Sequence, residues 1–334
     1  MTITSDPPVE APTIHVATSE RVAALLQRHG ALAVLILGVI VASIVFPSFA
    51  TFDNLAGVAI QSSFLIVVAL GMAFVIITGG IDLSVGSMFA LGGVLAAYAA
   101  KWGILPGLLL PLAVCGVIGL AQGLIIARTG LAPFIVTLAG LLGVRGLLLF
   151  ITGEGSNTYL VPRDSALLDL GRGTLFGIGY PVYIALILCV LGAVLLQRTR
   201  YGQAVFAIGG GGDAAALMGL PVARIKALTY LLSGLLAGFA GALNAARLGS
   251  GVTILGVGLE LDAISAVVIG GTLLTGGAGS ISGTLCGVLL LGVIQNVINQ
   301  IGTLTSSYQS VVSGAFLVVV VVVQTYLSRV RRLR

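Results

Sequence analysis

Ile77-Thr78-Gly79-Gly80-Ile81-Asp82-Leu83-Ser84-Val85-Gly86-Ser87 and Leu274-Thr275-Gly276-Gly277-Ala278-Gly279-Ser280-Ile281-Ser282-Gly283-Thr284 are two versions of one pattern. Each follows an apolar run and precedes another. In each, Thr-Gly-Gly and then small polar residues interrupt a helix at matching points. Paired breaks of this kind mark duplicated halves packed around a pathway through a membrane.

The composition agrees. The 334-residue chain is 58% hydrophobic and 8% charged, whereas soluble domains carry about 25% charged residues. The class is an all-α integral membrane protein. Its 48 glycines allow close helix approach where lipid supplies no hydrophobic drive. The net charge of +5 is scattered between apolar runs, which excludes a nucleic-acid footprint and reports orientation instead. Cys115, Cys189 and Cys286 form no spaced pair, and both histidines, His15 and His29, precede the first apolar run. Neither a disulfide framework nor a metal site is expected.

A span needs about 20 mainly apolar residues. Ten candidate crossings run roughly over 29–47, 57–78, 83–100, 105–127, 132–151, 178–197, 225–246, 259–275, 282–300 and 309–328. The segments beside the glycine breaks either cross fully or are partly re-entrant, and the internal repeat is either parallel or inverted. Residues 21–46 resemble a signal peptide, but the apolar run is long and lacks a clean cleavage site, so it reads as a retained span. With the amino terminus inside, eleven basic residues fall on the cytoplasmic side and four (Lys101, Arg163, Arg172, Arg247) outside, with Arg145 within a span. This satisfies the positive-inside rule and puts both termini in the cytoplasm. The chain divides into a disordered tail over 1–28, one transmembrane domain over 29–328 with a cytoplasmic loop at 198–224, and a basic tail over 329–334.

Few residues can do chemistry. The only lysines, Lys101 and Lys226, fit no Walker A loop, so any ATP hydrolysis belongs to a partner, and no cofactor is expected on this chain. Catalytic residues are not expected either. Asp82 opens the helix after the first break. It serves as an N-cap or has a gating or substrate role. Glu260 and Asp262 sit at the outer end of the eighth span, as a solvated helix start or as a contact for an outside partner. Arg145 snorkels, pairs with a polar group or faces a pore. Gln295, Asn296, Asn299 and Gln300 line one side of the ninth span and face either another helix or a wet pathway. Candidate pathway residues are therefore Thr78, Gly79, Gly80, Asp82 and Ser84 at the first break, Thr275, Gly276 and Gly277 at the second, and Asn296 and Asn299.

The 198–224 loop has its own signals. Gly209-Gly210-Gly211-Gly212 precede an alanine-rich helix with Asp213 placed as its N-cap, and Gly219 and Pro221 stop it. A short exposed helix of this kind, through Leu217 and Met218, is a docking knob or a plain loop.

These blocks carry a resemblance. Ala69-Leu70-Gly71-Met72, the block Gly79–Ser87, Pro133–Leu138, Arg198–Gly202, Ala207-Ile208-Gly209-Gly210, Leu217-Met218-Gly219, Glu260–Ile264, Val268–Thr272 and Gly283-Thr284 resemble the permease subunits of bacterial ABC sugar importers, in the ribose/xylose/galactose group. Gly256–Asp262 and Gly302-Thr303-Leu304 look closest to the galactofuranose-type permeases. Gly211 stands where the family usually has Asn. The resemblance implies a multi-pass protein of the bacterial inner membrane that moves a pentose or hexose. Its implied partners are an ATP-binding cassette subunit, a periplasmic sugar-binding protein and a second permease copy, identical or paralogous. It implies that Gly209, Gly210, Asp213, Leu217, Met218 and Gly219 couple to the ATPase, and that the glycine breaks lie near the pathway. The alternatives are a permease for a non-sugar solute, such as a branched-chain amino acid, and an ion-coupled transporter.

Overall fold

The structure is a computed structural model. It describes residues 18–301 together with Val311, Gly314, Ala315, Val318 and Val322, with side chains from Gly30 onward. The expected polar tail before Thr18, most of the tenth span and the basic tail lie outside the described residues.

The described chain is a helical bundle in the order α1 (Thr18–Val45), α2 (Phe52–Ile77), α3 (Val85–Ala99), α4 (Ile104–Thr129), α5 (Pro133–Ile151), α6 (Ala166–Arg172), α7 (Tyr180–Arg198), α8 (Arg200–Gly210), α9 (Gly212–Leu217), α10 (Val222–Leu248), α11 (Leu259–Ile269) and α12 (Ile281–Ile301). Helix α1 takes in residues 18–28, which the sequence reading assigned to the tail. A 3-10 turn, Ala100–Trp102, extends α3. Seven helices among the described residues are long and apolar enough to cross a membrane: α2, α3 with its turn, α4, α5, α7, α10 and α12. The apolar part of α1, Gly30–Val45, is shorter.

One end of the bundle carries Arg128, Arg198 and Arg224 at the ends of α4, α7 and α10. The other end carries two small antiparallel ribbons. In one, β1 (Tyr159–Leu160) pairs with β4 (Ser250–Gly251); in the other, β2 (Thr174–Leu175) pairs with β3 (Ile178–Gly179). At that end Lys101 lies over the rings of Tyr98 and Trp102.

Helix α10 is the central post, packed against α2, α3 and α4. The reason is in its small residues. Gly92 of α3 faces Gly238, Gly119 of α4 faces Tyr230 and Gly234, and Gly71 of α2 faces Ser233. A Cβ at Gly241 would strike the Phe89 carbonyl. Backbones thus meet directly, which replaces hydrophobic drive with van der Waals contact.

The eighth segment departs from expectation. Helix α11 has 11 residues, and at 1.5 Å per residue it reaches about 16 Å, half of a ~30 Å hydrocarbon core. The chain arrives at it through residues 252–258, which are not helical. Gly251 packs on Val94 near the far end of α3, whereas Gly256 packs on Gly86 at its start. Residues 252–258 therefore descend into the bundle, and α11 completes the descent. Residues 78–84 do the reverse, rising from the basic end to the start of α3. The two glycine breaks lie at the same end and touch. Helices α2 and α11 approach them in one direction, and α3 and α12 leave in the other, so around the breaks the repeat is parallel.

The glycine contacts give a stability contrast. Gly241→Ala is expected to destabilise the fold by about 3 kcal/mol through overpacking against backbone. Gly57→Ala in α2, with nothing within 4 Å of the added Cβ, is expected to stabilise by about 0.5–1 kcal/mol through helix propensity. Thermal unfolding in detergent reads both.

Candidate functional site

The two breaks and the loop between spans form one junction. Gly277 N–H donates to Ile77 O, the end of α2, at 2.9 Å. Gly276 has φ +83 and packs on Gly79 and on Gly209 O. Gly277 has φ +77 and packs on Gly209 and Gly210. A Cβ at Gly209 would strike both Ile77 O and Gly277 N. Positive φ and the missing side chain are both required here, because three backbone strands share one site. Helix α8 brings Gly209 to that site. Its Tyr201 stacks on Phe74 of α2, with ring centroids 6.2 Å apart, and its hydroxyl is 3.0 Å from Thr229 Oγ1 of α10. Thr199 starts α8 by accepting from Gly202 N–H.

Above the junction lies the buried acid. Asp82 is 0% exposed. Its Oδ1 accepts from Ser84 N–H at 3.0 Å and from Ser84 Oγ at 2.5 Å, and its Oδ2 accepts from Ser233 Oγ at 2.7 Å. Ser233 stands eleven residues past Val222, about 16 Å along α10. Asp82 does not hold the N-cap position, one of the two readings its sequence allowed. Ser84 precedes α3, and Asp82 closes an Asx turn onto it. The carboxylate also sits at the positive end of α3. Gln122 of α4 extends the network, 3.0 Å from Ser84 Oγ. Ile81 O accepts from Thr137 Oγ1 at 3.2 Å and from Tyr230 OH at 3.4 Å. Thr78 Oγ1 donates back to Val75 O. The unwound segment is thus supplied from α4, α5 and α10.

Other expected residues lie elsewhere. Glu260 and Asp262 are not at the outer end of a full span. They occupy the first turn of α11, where Glu260 lies against Gly86 at the start of α3. Both are half-buried. Arg145 reaches the same place, where Nη1 donates to Thr253 O at 2.7 Å and to Leu255 O at 3.2 Å. Asn296 is at the far end of α2, exchanging amide hydrogen bonds with Asn54 at 2.8 and 3.1 Å. Gln300 donates to Asn296 Oδ1 and accepts from Ser48 Oγ. This part of the amide stripe faces another helix; Asn299 is on the exposed side. Neither approaches the breaks.

Helix α9 projects from the basic end. Leu217 is 91% and Met218 71% exposed, and Gly219, at φ +82, turns the chain back. Asp213 is in the first turn and not its cap; Gly211 holds that position without a side chain. Thr275 is exposed beside the junction. Sequence reasoning did not single out Ser233, Tyr230 or Gln122, whose roles depend on which helix adjoins the break. The one available signal was Ser233-Gly234 inside a long small-residue run.

Residues 54–321 match the family described as branched-chain amino acid transport system / permease component. The chain is 38% identical over 310 residues to the L-arabinose ABC transporter permease protein AraH of Azospirillum brasilense, covering 92% of this chain and 90% of that one. It is 38% identical over 302 residues to the ribose import permease protein RbsC of Escherichia coli K12, covering 90% and 94%. With the fructose import permease protein FruG of Bifidobacterium longum it shares 33% over 312 residues, covering 90% and 91%. No solved structure matches the chain.

The Asp82 network has a measurable coupling. Ser233→Ala is expected to cost about 2 kcal/mol by leaving the buried Asp82 Oδ2 without its donor. In an Asp82→Asn background the same change is expected to cost about 1 kcal/mol less. Thermal unfolding of the four proteins in detergent gives the cycle, and equal losses in both backgrounds would show that Ser233 acts independently of Asp82.

Proposed function

This chain belongs to the branched-chain amino acid transport system / permease component family, and from that premise we propose that it is the membrane permease subunit of an ATP-driven, binding-protein-dependent importer of a monosaccharide. It is a transport subunit and not an enzyme. The family's description names amino acids, but the arabinose, ribose and fructose permeases align along nine-tenths of the chain, which favours a pentose or hexose. A galactofuranose-type solute stays within that class. An ion-coupled mechanism gains nothing from Asp82, whose oxygens are occupied by Ser84 and Ser233.

The observation that carries the reading is the path from α9 to the breaks. A partner ATPase gripping exposed Leu217 and Met218 moves a short helix that follows Gly209 and Gly210 directly. Gly209 is wedged between Ile77 and Gly277. Motion of α8 and α9 therefore acts on both breaks at one point, and through them on α3 and α12. In this reading Gly209 and Gly210 couple from inside the fold, while Asp213, Leu217, Met218 and Gly219 form the outer docking knob.

The basic end is the cytoplasmic side of the inner membrane by the positive-inside rule. Ten crossings follow when α1, the broken paths through α3 and α11 and the segment 309–328 join the other six helices, and both termini are then cytoplasmic. A periplasmic sugar-binding protein docks at the opposite end, with its two ribbons. A second permease copy, identical or paralogous, completes the pathway. The chain holds no nucleotide loop, so the ATP is consumed on the partner.

Reconstitution with the partner ATPase and binding protein tests this. Leu217→Asp with Met218→Asp is expected to lower ATP-driven sugar uptake by roughly tenfold or more, a loss of at least 1.4 kcal/mol in productive coupling. Gly209→Val is expected to retain ATPase binding and ATP hydrolysis while losing uptake. Sugar movement by the chain alone, at the rate of the full assembly, would overturn the reading.

A further inference from the structure

Residues Leu255–Asp262 lie at half depth. Gly256 packs on Gly86, and neighbouring Ser87 donates its hydroxyl proton to Leu141 O. Leu141 is the ninth residue of the nineteen in α5. At this depth Val257 is 77% and Leu261 55% exposed, and the preceding backbone is not helical. Lipid cannot cover such a face. Irregular backbone at membrane depth persists only when buried in protein or lining a water-filled space. Carboxylates at that depth, such as Glu260 and Asp262, face a bundle interior or a wet cavity. The unwound stretch at 78–84 differs, since Asp82 is fully buried and its oxygens are occupied.

We infer that Leu255–Asp262, held by Arg145, is the water-facing wall of the translocation pathway and the surface that contacts the solute at half depth. The inference rests on the importer reading above. The chemistry fits a neutral, polyhydroxylated solute. Asp262 is placed to accept hydrogen bonds from hydroxyl groups, while Glu260 is turned toward Gly86 at the start of α3. Val257 and Leu261 offer apolar surface to the C–H faces of a sugar. Arg145 positions the wall, because its Nη1 is committed to Thr253 O and Leu255 O. This moves Asp262 from an outer docking role to the pathway itself, with Glu260 behind it against α3.

The test is chemical accessibility in the full assembly of permease, ATPase and binding protein in proteoliposomes. Cys115, Cys189 and Cys286 are first replaced by alanine. Val257→Cys and Leu261→Cys are then treated with a charged, membrane-impermeant methanethiolsulfonate. Val117→Cys in α4 and Val190→Cys in α7, both exposed on spanning helices, serve as lipid-facing controls. The expected result is modification roughly tenfold faster at 257 and 261 than at the controls, with uptake lost on modification. D-ribose, L-arabinose or D-fructose, whichever the assembly imports, is expected to slow it. Reactivity at 257 and 261 no greater than at the controls would overturn the inference. So would a cross-link between copies at 257 without reagent access, which marks a dry contact. The assembly with the natural cysteines reports separately on the importer reading: if it moves no pentose or hexose with ATP, that reading fails, while the accessibility pattern still decides whether this wall is wet.

Discussion

Every backbone N–H and C=O at membrane depth needs a partner inside the protein. Two stretches among the described residues leave the helix there, and a distinct set of polar residues answers to them. At 78–84, Ile81 O takes Thr137 and Tyr230, and Ser84 N–H is taken by Asp82. At 252–258, Arg145 spans Thr253 O and Leu255 O. A carboxylate in one stretch and a guanidinium over the other are costly in lipid. Each is retained where it supplies acceptors or donors that a helix would otherwise supply itself.

Glycine and serine make those partners reachable. Helix α10 can offer Ser233 and Tyr230 to the first stretch only because α2, α3 and α4 approach its backbone through Gly71, Gly92 and Gly119. Gly209 does the same for α8, whose backbone it brings beside Ile77. Close packing and polar satisfaction are thus one arrangement: a bulkier α10 would hold its neighbours too far away for Ser233 Oγ to reach Asp82 at 2.7 Å.

Much of this was legible in the sequence. The breaks and the stop of α9 at Gly219 follow from glycine placement, while the common end of the breaks and the helical packing of part of the amide stripe were each one of two readings that the sequence allowed. The half-length of α11 was not legible, because 259–275 is mainly apolar after Glu260 and Asp262 and composition does not register where a helix begins at depth. The positions of Glu260 and Asp262 shifted for the same reason. Asp213 has the residue type of a cap, yet Gly211 took the position, so local preference yielded to the turn that the glycine run allows. The donors to Asp82 come from 2 and 151 residues away; spacing along the chain reveals the first and is silent on the second.

The bond from Gly277 N–H to Ile77 O bears on how the protein is made. The end of α2 receives this partner from a residue 200 positions later in the chain. At a synthesis rate of about 5–20 residues per second, that delay is roughly 10–40 s. During it, the first break stands in the nascent chain without its counterpart. Biogenesis of this protein therefore includes an interval in which α2 and α3 are inserted but unlocked, and it closes only when the second break emerges.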